Sequence, residues 1–220
     1  MRSLVLVLLL ATSSLSLSAV ERIEVPRGKT TPKIDGTVGA TEWKSAVRVR
    51  IDDNTHALLQ HNGTYLFIAL VAHTGGSASV CTTNGTDVLV LHASAALGSA
   101  SFEKQGETWT MTRGFTWTNR DTGETPEAMA ARKTFLDAQN WFANATPYYS
   151  TEREYQIRVS GRTEVPLALS FLSFKSQNDS HLHYWPPRLE DSCADRDLAG
   201  GWEDGVYAFA PDTWGVAVLH

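Results

Sequence analysis

The sequence predicts an all-β protein, an antiparallel jelly-roll-like β-sandwich with one inserted helix. Three observations carry that prediction. Short alternating or continuous apolar runs recur along the chain. Gly, Asn, Asp and Pro turn signals separate them at close spacing. One stretch only, opening at Thr125, joins helix-start chemistry to three–four apolar spacing. Many short strands with frequent turns favour a sandwich over a parallel α/β sheet. The 220 residues show no internal repeat and no low-complexity linker, so one domain over residues 20–220 is expected.

Residues 1–19 read as a signal peptide. Arg2 precedes the apolar run Leu4–Ala11, which is too short to span a bilayer, and Ser16-Leu17-Ser18-Ala19 places small residues at a cleavage site after Ala19. No later stretch is long and apolar enough for a membrane span. The expected location is secreted or periplasmic.

In order, Arg22–Val25 alternates as a first strand, and Pro26–Lys33 is a loop. Ile34-Asp35-Gly36 forms a turn in which Gly36 supplies the positive φ. Glu42-Trp43 and Ala46 follow, with Trp43 expected in the core. Val47–Ile51 is a half-buried strand with Arg48 and Arg50 outward. Ala57–Gln60 and the continuous apolar segment Tyr65–Ala72 flank Asn62-Gly63, a strong hairpin signal, and Tyr65–Ala72 suits a central strand covered on both faces. Thr74–Thr86 reads as a loop and Asp87–His92 as a strand. Ser101–Gln105 and Thr108–Arg113 form a hairpin about Gly106. The helix has Thr125 as N-cap, Pro126 at its first position and Glu124 and Glu127 near its positive end. Its stripe of Ala128, Ala131, Phe135, Ala138 and Phe142 is expected to pack on a sheet edge. Tyr155–Val159 and Val165–Phe174 are strands, Asn178–Ala210 is irregular, polar and aromatic, and Trp214–Leu219 closes the chain.

Composition and charge exclude some functions. An apolar fraction of 42% with 20% charged residues is that of a globular protein. A net charge of -5 argues against nucleic acid or an acidic membrane surface as partner. There is no Gly-x-Ser-x-Gly elbow, phosphate loop, dinucleotide fingerprint or His-Glu-x-x-His motif, and no Ser–His spacing that suggests a triad. Glu103, Glu107, Asp191 and Glu203 could supply a glycosidic carboxylate pair, although surface carboxylates are the default. His181-x-His183 puts two rings on one side of an extended segment without an evident third ligand. Asp191, Asp195 and Asp197, with Glu203 and Asp204, could offer oxygens to calcium, but without helix–loop–helix spacing. Cys81 and Cys193 read as a disulfide in an oxidising compartment, or otherwise as two buried thiols. Such a bridge stabilises by roughly 4–5 kcal/mol in the chain-entropy model. Sequons at Asn62, Asn84, Asn144 and Asn178 are glycan acceptors in a eukaryotic secretory pathway, which would make the chain a glycoprotein.

Tryptophan is the richer signal. Trp43 and Trp214 have apolar neighbours and are expected in the core. Trp117, Trp141, Trp185 and Trp202 lie among polar residues, with Arg188 close to the third. An indole stacks on the apolar face of a sugar ring while polar groups take the hydroxyls. These five residues are the candidate carbohydrate site, against a reading in which the aromatics cover a sandwich end.

Several landmarks occur in a familiar order: Ile34-Asp35-Gly36, Glu42-Trp43-Lys44-Ser45-Ala46, Tyr65-Leu66-Phe67-Ile68-Ala69-Leu70, Asp87-Val88-Leu89-Val90-Leu91, Tyr155-Gln156-Ile157-Arg158-Val159, Trp185-Pro186, and Pro211-Asp212-Thr213-Trp214-Gly215-Val216. Together they resemble the family 9 carbohydrate-binding modules and the wider DOMON-like sandwiches. The resemblance implies a jelly-roll-like sandwich that binds carbohydrate, usually beside a glycoside hydrolase and often with calcium. With no catalytic module in this chain, the hydrolase would be a separate protein. The resemblance also implies a runner-up, since related sandwiches carry a b-type haem. Met111 or Met129 would then ligate with His73, His92 or a Lys. A third reading is a structural or interaction sandwich without a sugar site. The chain departs from many relatives in having a wholly apolar interior to the Asp87–Leu91 strand.

Overall fold

The structure is a computed structural model that describes residues 20–119, 123–145, 150–176, 179–199 and 206–220. The proposed leader therefore lies outside the described residues. Two sheets face each other. The smaller contains β2 (Val47–Arg50), β3 (His56–His61), β4 (Tyr65–Val71), β9 (Trp141–Asn144) and β10 (Glu152–Arg158), in the order β2-β3-β4-β10-β9. The larger contains β1 (Arg22–Val25), β5 (Gly76–Thr83), β6 (Asp87–Ala93), β7 (Ala96–Gln105), β8 (Thr108–Asn119), β11 (Glu164–Ser176), β12 (Asp179–Trp185) and β13 (Gly215–Leu219). Its order is β1-β13-β11-β5-β6-β7-β8, with β12 pairing with β11 beyond β13. The all-β sandwich with one inserted helix thus stands. One pairing departs from the antiparallel expectation: β1 runs parallel to β13.

The inner core lies between the sheets. Leu59, Leu66, Ile68 and Tyr155 from the smaller sheet meet Val80, Leu91, Leu169 and Phe171 from the larger, and the Tyr155 hydroxyl donates to the Ala78 carbonyl at 2.8 Å. As expected, β4 is central and buried on both faces. Each outer face has its own cover. The 26–46 segment lies over the smaller sheet, and α1 (Pro126–Gln139) packs at that sheet's edge on β9. Residues 186–199 and 206–214 build a second core on the larger sheet, where Leu189, Cys193, Leu198, Phe209 and Trp214 meet Val88, Val90, Phe102 and Ala168. The Cys81–Cys193 disulfide ties this cover to β5.

Three regions differ from expectation. The supposed loop Thr74–Thr86 contains β5, an internal strand between β11 and β6. Its small residues permit close neighbours: a Cβ at Gly76 would lie 2.0 Å from the Leu172 carbonyl oxygen. The helix ends at Asn140, whose φ of 62° is a left-handed cap. Phe142 consequently sits on β9. The packed helix face is Ala128, Arg132, Phe135 and Leu136, whereas Ala131 and Ala138 face solvent. The region read as irregular contains β12, α2 (Arg196–Ala199) and a 3₁₀ turn, Ser192–Ala194. Thr125 caps the helix as expected, accepting from the Ala128 amide at 3.2 Å.

Candidate functional site

The Ile-Asp-Gly to Glu-Trp stretch builds a closed clasp. Gly36 has a φ of 91°. The Gly36 and Asp35 amides donate to Glu154 Oε2 at 2.8 and 3.1 Å, and Trp43 Nε1 donates to Glu154 Oε1 at 2.9 Å. Glu42 accepts from the Lys33 amide, so the neighbouring carboxylate pins the same loop. Burial pushes the Glu154 carboxyl up to about 8, against the hydrogen bonds from Gly36 and Trp43. Its oxygens are filled and Trp43 is buried, so this is the fastening of the fold rather than a ligand site.

Trp185 and Trp141 do not serve the candidate sugar site. Trp185 is 0% exposed and sits in the inner core with its ring against Gly215. The alternation of β12 turns it inward, away from the polar residues beside it in sequence. Trp141 is 2% exposed, on β9 beside Tyr155, with ring centroids 6.5 Å apart. Neither indole has a face to give to a sugar. Trp202 lies outside the described residues. Arg188 is exposed in the outer cover, past the end of β12.

Trp117 remains, and it is 44% exposed. It lies on β8, the edge strand of the larger sheet, opposite Gly98 on β7, which in turn pairs with His92 on β6. A Cβ on residue 98 would lie 2.7 Å from the indole's six-membered ring, so the missing side chain is what lets the ring settle there. Phe115 stacks beside it at 5.3 Å and 17°, and the His92 ring meets it edge-on at 5.3 Å. Behind His92 a buried polar row crosses the sheet, in which the Ser79 hydroxyl lies 3.2 Å from His92 Nδ1. The indole is thus an exposed aromatic surface whose position is fixed from three sides.

The proposed metal residues part company. Asp191 Oδ1 accepts from the Cys193 amide, while Oδ2 accepts from the Ala210 amide and from Trp214 Nε1 at 2.6 Å. It is a second clasp, inside the outer cover, and its lone pairs are used by N–H donors. Asp195 ends the 3₁₀ turn and is exposed, and the Asp197 side chain lies outside the described residues. Among the described residues no group of three His, Cys, Asp or Glu gathers to hold a metal. Of the haem-ligand candidates, Met111 pairs with Phe102 and His92 with Gly98, a separation of roughly 13 Å along the strands, and Met129 lies on α1 at the edge of the smaller sheet.

Two features were not legible from spacing. Asp52 Oδ2 bonds His183 Nδ1, and His183 Nε2 lies 2.9 Å from the Ser173 hydroxyl. Burial works to raise the Asp52 carboxyl, but the Asn54 amide and His183 outweigh it and hold it below its ordinary value. The connectivity is that of a Ser–His–Asp relay. However, Ser173 is 2% exposed and its hydroxyl also faces the His181 carbonyl at 3.2 Å. The three residues join the β2–β3 loop to the larger sheet as a clamp. Secondly, Asn144 is fully buried with its amide donating to the Ile34 carbonyl, so the folded chain does not offer that sequon for glycosylation.

No protein-family model matches the chain, and no curated protein matches it. A solved structure of a proposed carbohydrate-binding protein from Bacteroides uniformis ATCC 8492 is similar in fold. Its TM-score is 0.52 at 9% sequence identity, over 92% of this chain and 100% of that one. Among the described residues, no helix is long and apolar enough to cross a membrane.

Proposed function

We propose that the protein binds carbohydrate on the outer face of its larger sheet, with Trp117 as the stacking indole. The observation that carries this reading is the exposed ring seated over Gly98 and braced by Phe115. An exposed indole that is already positioned loses little side-chain freedom when it stacks on a sugar. The fold it shares with a proposed carbohydrate-binding protein agrees with this reading. In this proposal the chain works outside the cytoplasm, where its disulfide persists, and holds a separate glycoside hydrolase near its substrate.

Calorimetry with soluble neutral oligosaccharides tests the site. Trp117→Ala is expected to weaken binding by about tenfold, the loss of roughly 1.4 kcal/mol of contact with the indole face. The unfolding curve should barely move. Affinity that is unchanged in Trp117→Ala, or an absence of binding across neutral and acidic panels, removes the proposal.

A further inference from the structure

At one end of the sandwich, three turns and the 3₁₀ turn Pro211–Thr213 surround a cleft of about 430 Å³. The β5–β6 turn contributes Asn84, the β7–β8 hairpin contributes Lys104 and Trp109, the β10–β11 turn contributes Arg162, and Asp212 closes the rim. It is far from Trp117, which lies eight residues along β8 from Trp109.

The charges in this cleft are unusual. Arg162 is half-buried, and one of its N–H groups donates to the Thr83 carbonyl at 2.8 Å. Among the described residues it has no carboxylate partner, and neither has Lys104. Glu164 lines the same cleft but is already engaged with Arg22. Burial holds the Arg162 guanidinium below its ordinary value, so desolvation of the cation goes uncompensated by the protein itself. The indole of Trp109 is fixed by its N–H, which donates to the Phe209 carbonyl at 2.7 Å, and by edge-on contact with the Phe209 ring. Lys104 Nζ stands 6.0 Å from that indole's centroid. A fixed aromatic wall next to two unneutralised cations suits a ring that carries a negative charge. Asp212, free of ion pairs among the described residues, is placed to accept from hydroxyl groups.

We infer that this cleft binds an anionic saccharide, a pyranose bearing a carboxylate or a sulfate, with the charged group on Arg162 and Lys104 and the ring against Trp109. The ligand class rests on the carbohydrate reading above, but the site does not depend on Trp117. The guanidinium fork matches either acid in a two-point hydrogen bond.

The test titrates the full disulfide-bonded chain with a uronic-acid disaccharide, a sulfated disaccharide and their neutral parent, followed by calorimetry and tryptophan fluorescence. At least one acidic ligand is expected to bind about tenfold more tightly than the neutral parent, and high salt should narrow the gap. Arg162→Gln should abolish that preference while leaving Trp117-dependent binding of neutral sugar intact. Lys104→Gln, on an exposed hairpin tip, should reduce the preference and gives the readout if Arg162→Gln does not fold. Whether uronate or sulfate binds assigns the acid. Equal affinity for acidic and neutral ligands, a preference untouched by both substitutions, or inorganic sulfate competing as well as the sulfated sugar overturns the inference. Binding of an acidic ligand by the unsubstituted chain with no binding of any neutral sugar overturns the Trp117 proposal and not this one.

Discussion

Two tryptophans in this molecule rest on glycines, and the two seats have opposite meanings. Trp185 lies over Gly215 in the inner core, with no exposure. Trp117 lies over Gly98 at the rim of the larger sheet, with nearly half its surface in solvent. The same local device, an indole filling the space of a missing side chain on another strand of the sheet, gives packing in one place and a presented surface in the other. What differs is the cover. β12 and β13 pair with β11 so that their inner faces look toward the smaller sheet, whereas β8 is an edge strand whose outer face extends past the second core. Exposure of an indole here follows from strand position and not from the polarity of its neighbours in sequence.

The sharpest way to break the comparison is to fill both seats. A methyl on residue 215 would come within 1.8 Å of the Trp185 ring, and close packing leaves that ring nowhere to go. Gly215→Ala is therefore expected to destabilise by about 3 kcal/mol or more, through overpacking against a locked side chain. Chemical denaturation measures it. A loss below about 1 kcal/mol would mean that the inner core can shift to accommodate the methyl, and the two seats would then not differ in kind.

The two indole clasps divide along the same line. Glu154 is buried under the anchor loop, whereas Asp191 sits in the outer cover and is partly exposed. Glu154 ionises at about 8 in the fold against an ordinary 4.5. Below pH 4.5 it is protonated whether the chain is folded or not. As pH rises toward 8 the unfolded chain releases this proton and the folded chain keeps it, so folding stability falls through that window and the loss is complete above it. The slope is at most ~1.4 kcal/mol per pH unit. Glu154→Gln removes the titration, so its stability profile between pH 5 and 8 should be flatter than that of the parent. Parallel profiles would show instead that the three N–H donors hold an ionised carboxylate and that the clasp is an anion site.

These contrasts also show what was legible in the sequence. Tyr65–Val71 reads correctly because a strand covered on both faces is apolar throughout, and Asn62-Gly63 reads correctly because a tight turn selects its own residues. Trp43 was recognisable as core, but its carboxylate was not, since Glu154 lies 111 positions away on β10. β5 was hidden by Ser77, Ser79 and Thr82, whose burial depends on β11, a strand about ninety residues later. Asp191 looked like a calcium ligand because acids cluster in sequence around it, yet its oxygens are taken up by Cys193, Ala210 and Trp214. Trp185 looked spare for a similar reason, with His181, His183, Tyr184 and Arg188 around it. Its partner Gly215 is remote. For Trp117 the local cue was present: Phe115 and Trp117 alternate on one face of a strand among exposed threonines.

The smallest expected effect comes from filling the second seat. A methyl on residue 98 would approach the Trp117 ring to 2.7 Å, but that ring can tilt into solvent, so Gly98→Ala should cost only about 1 kcal/mol of stability. The tilt would break the stack with Phe115 and carry the indole off its fixed position. A preorganised surface that loses its brace must be ordered again on binding, so sugar affinity should fall although Trp117 itself is unchanged. Unfolding curves and saccharide titrations on the same Gly98→Ala preparation give both readouts. A substitution that leaves affinity intact would show that the glycine seat is incidental, and that the indole binds through exposure alone.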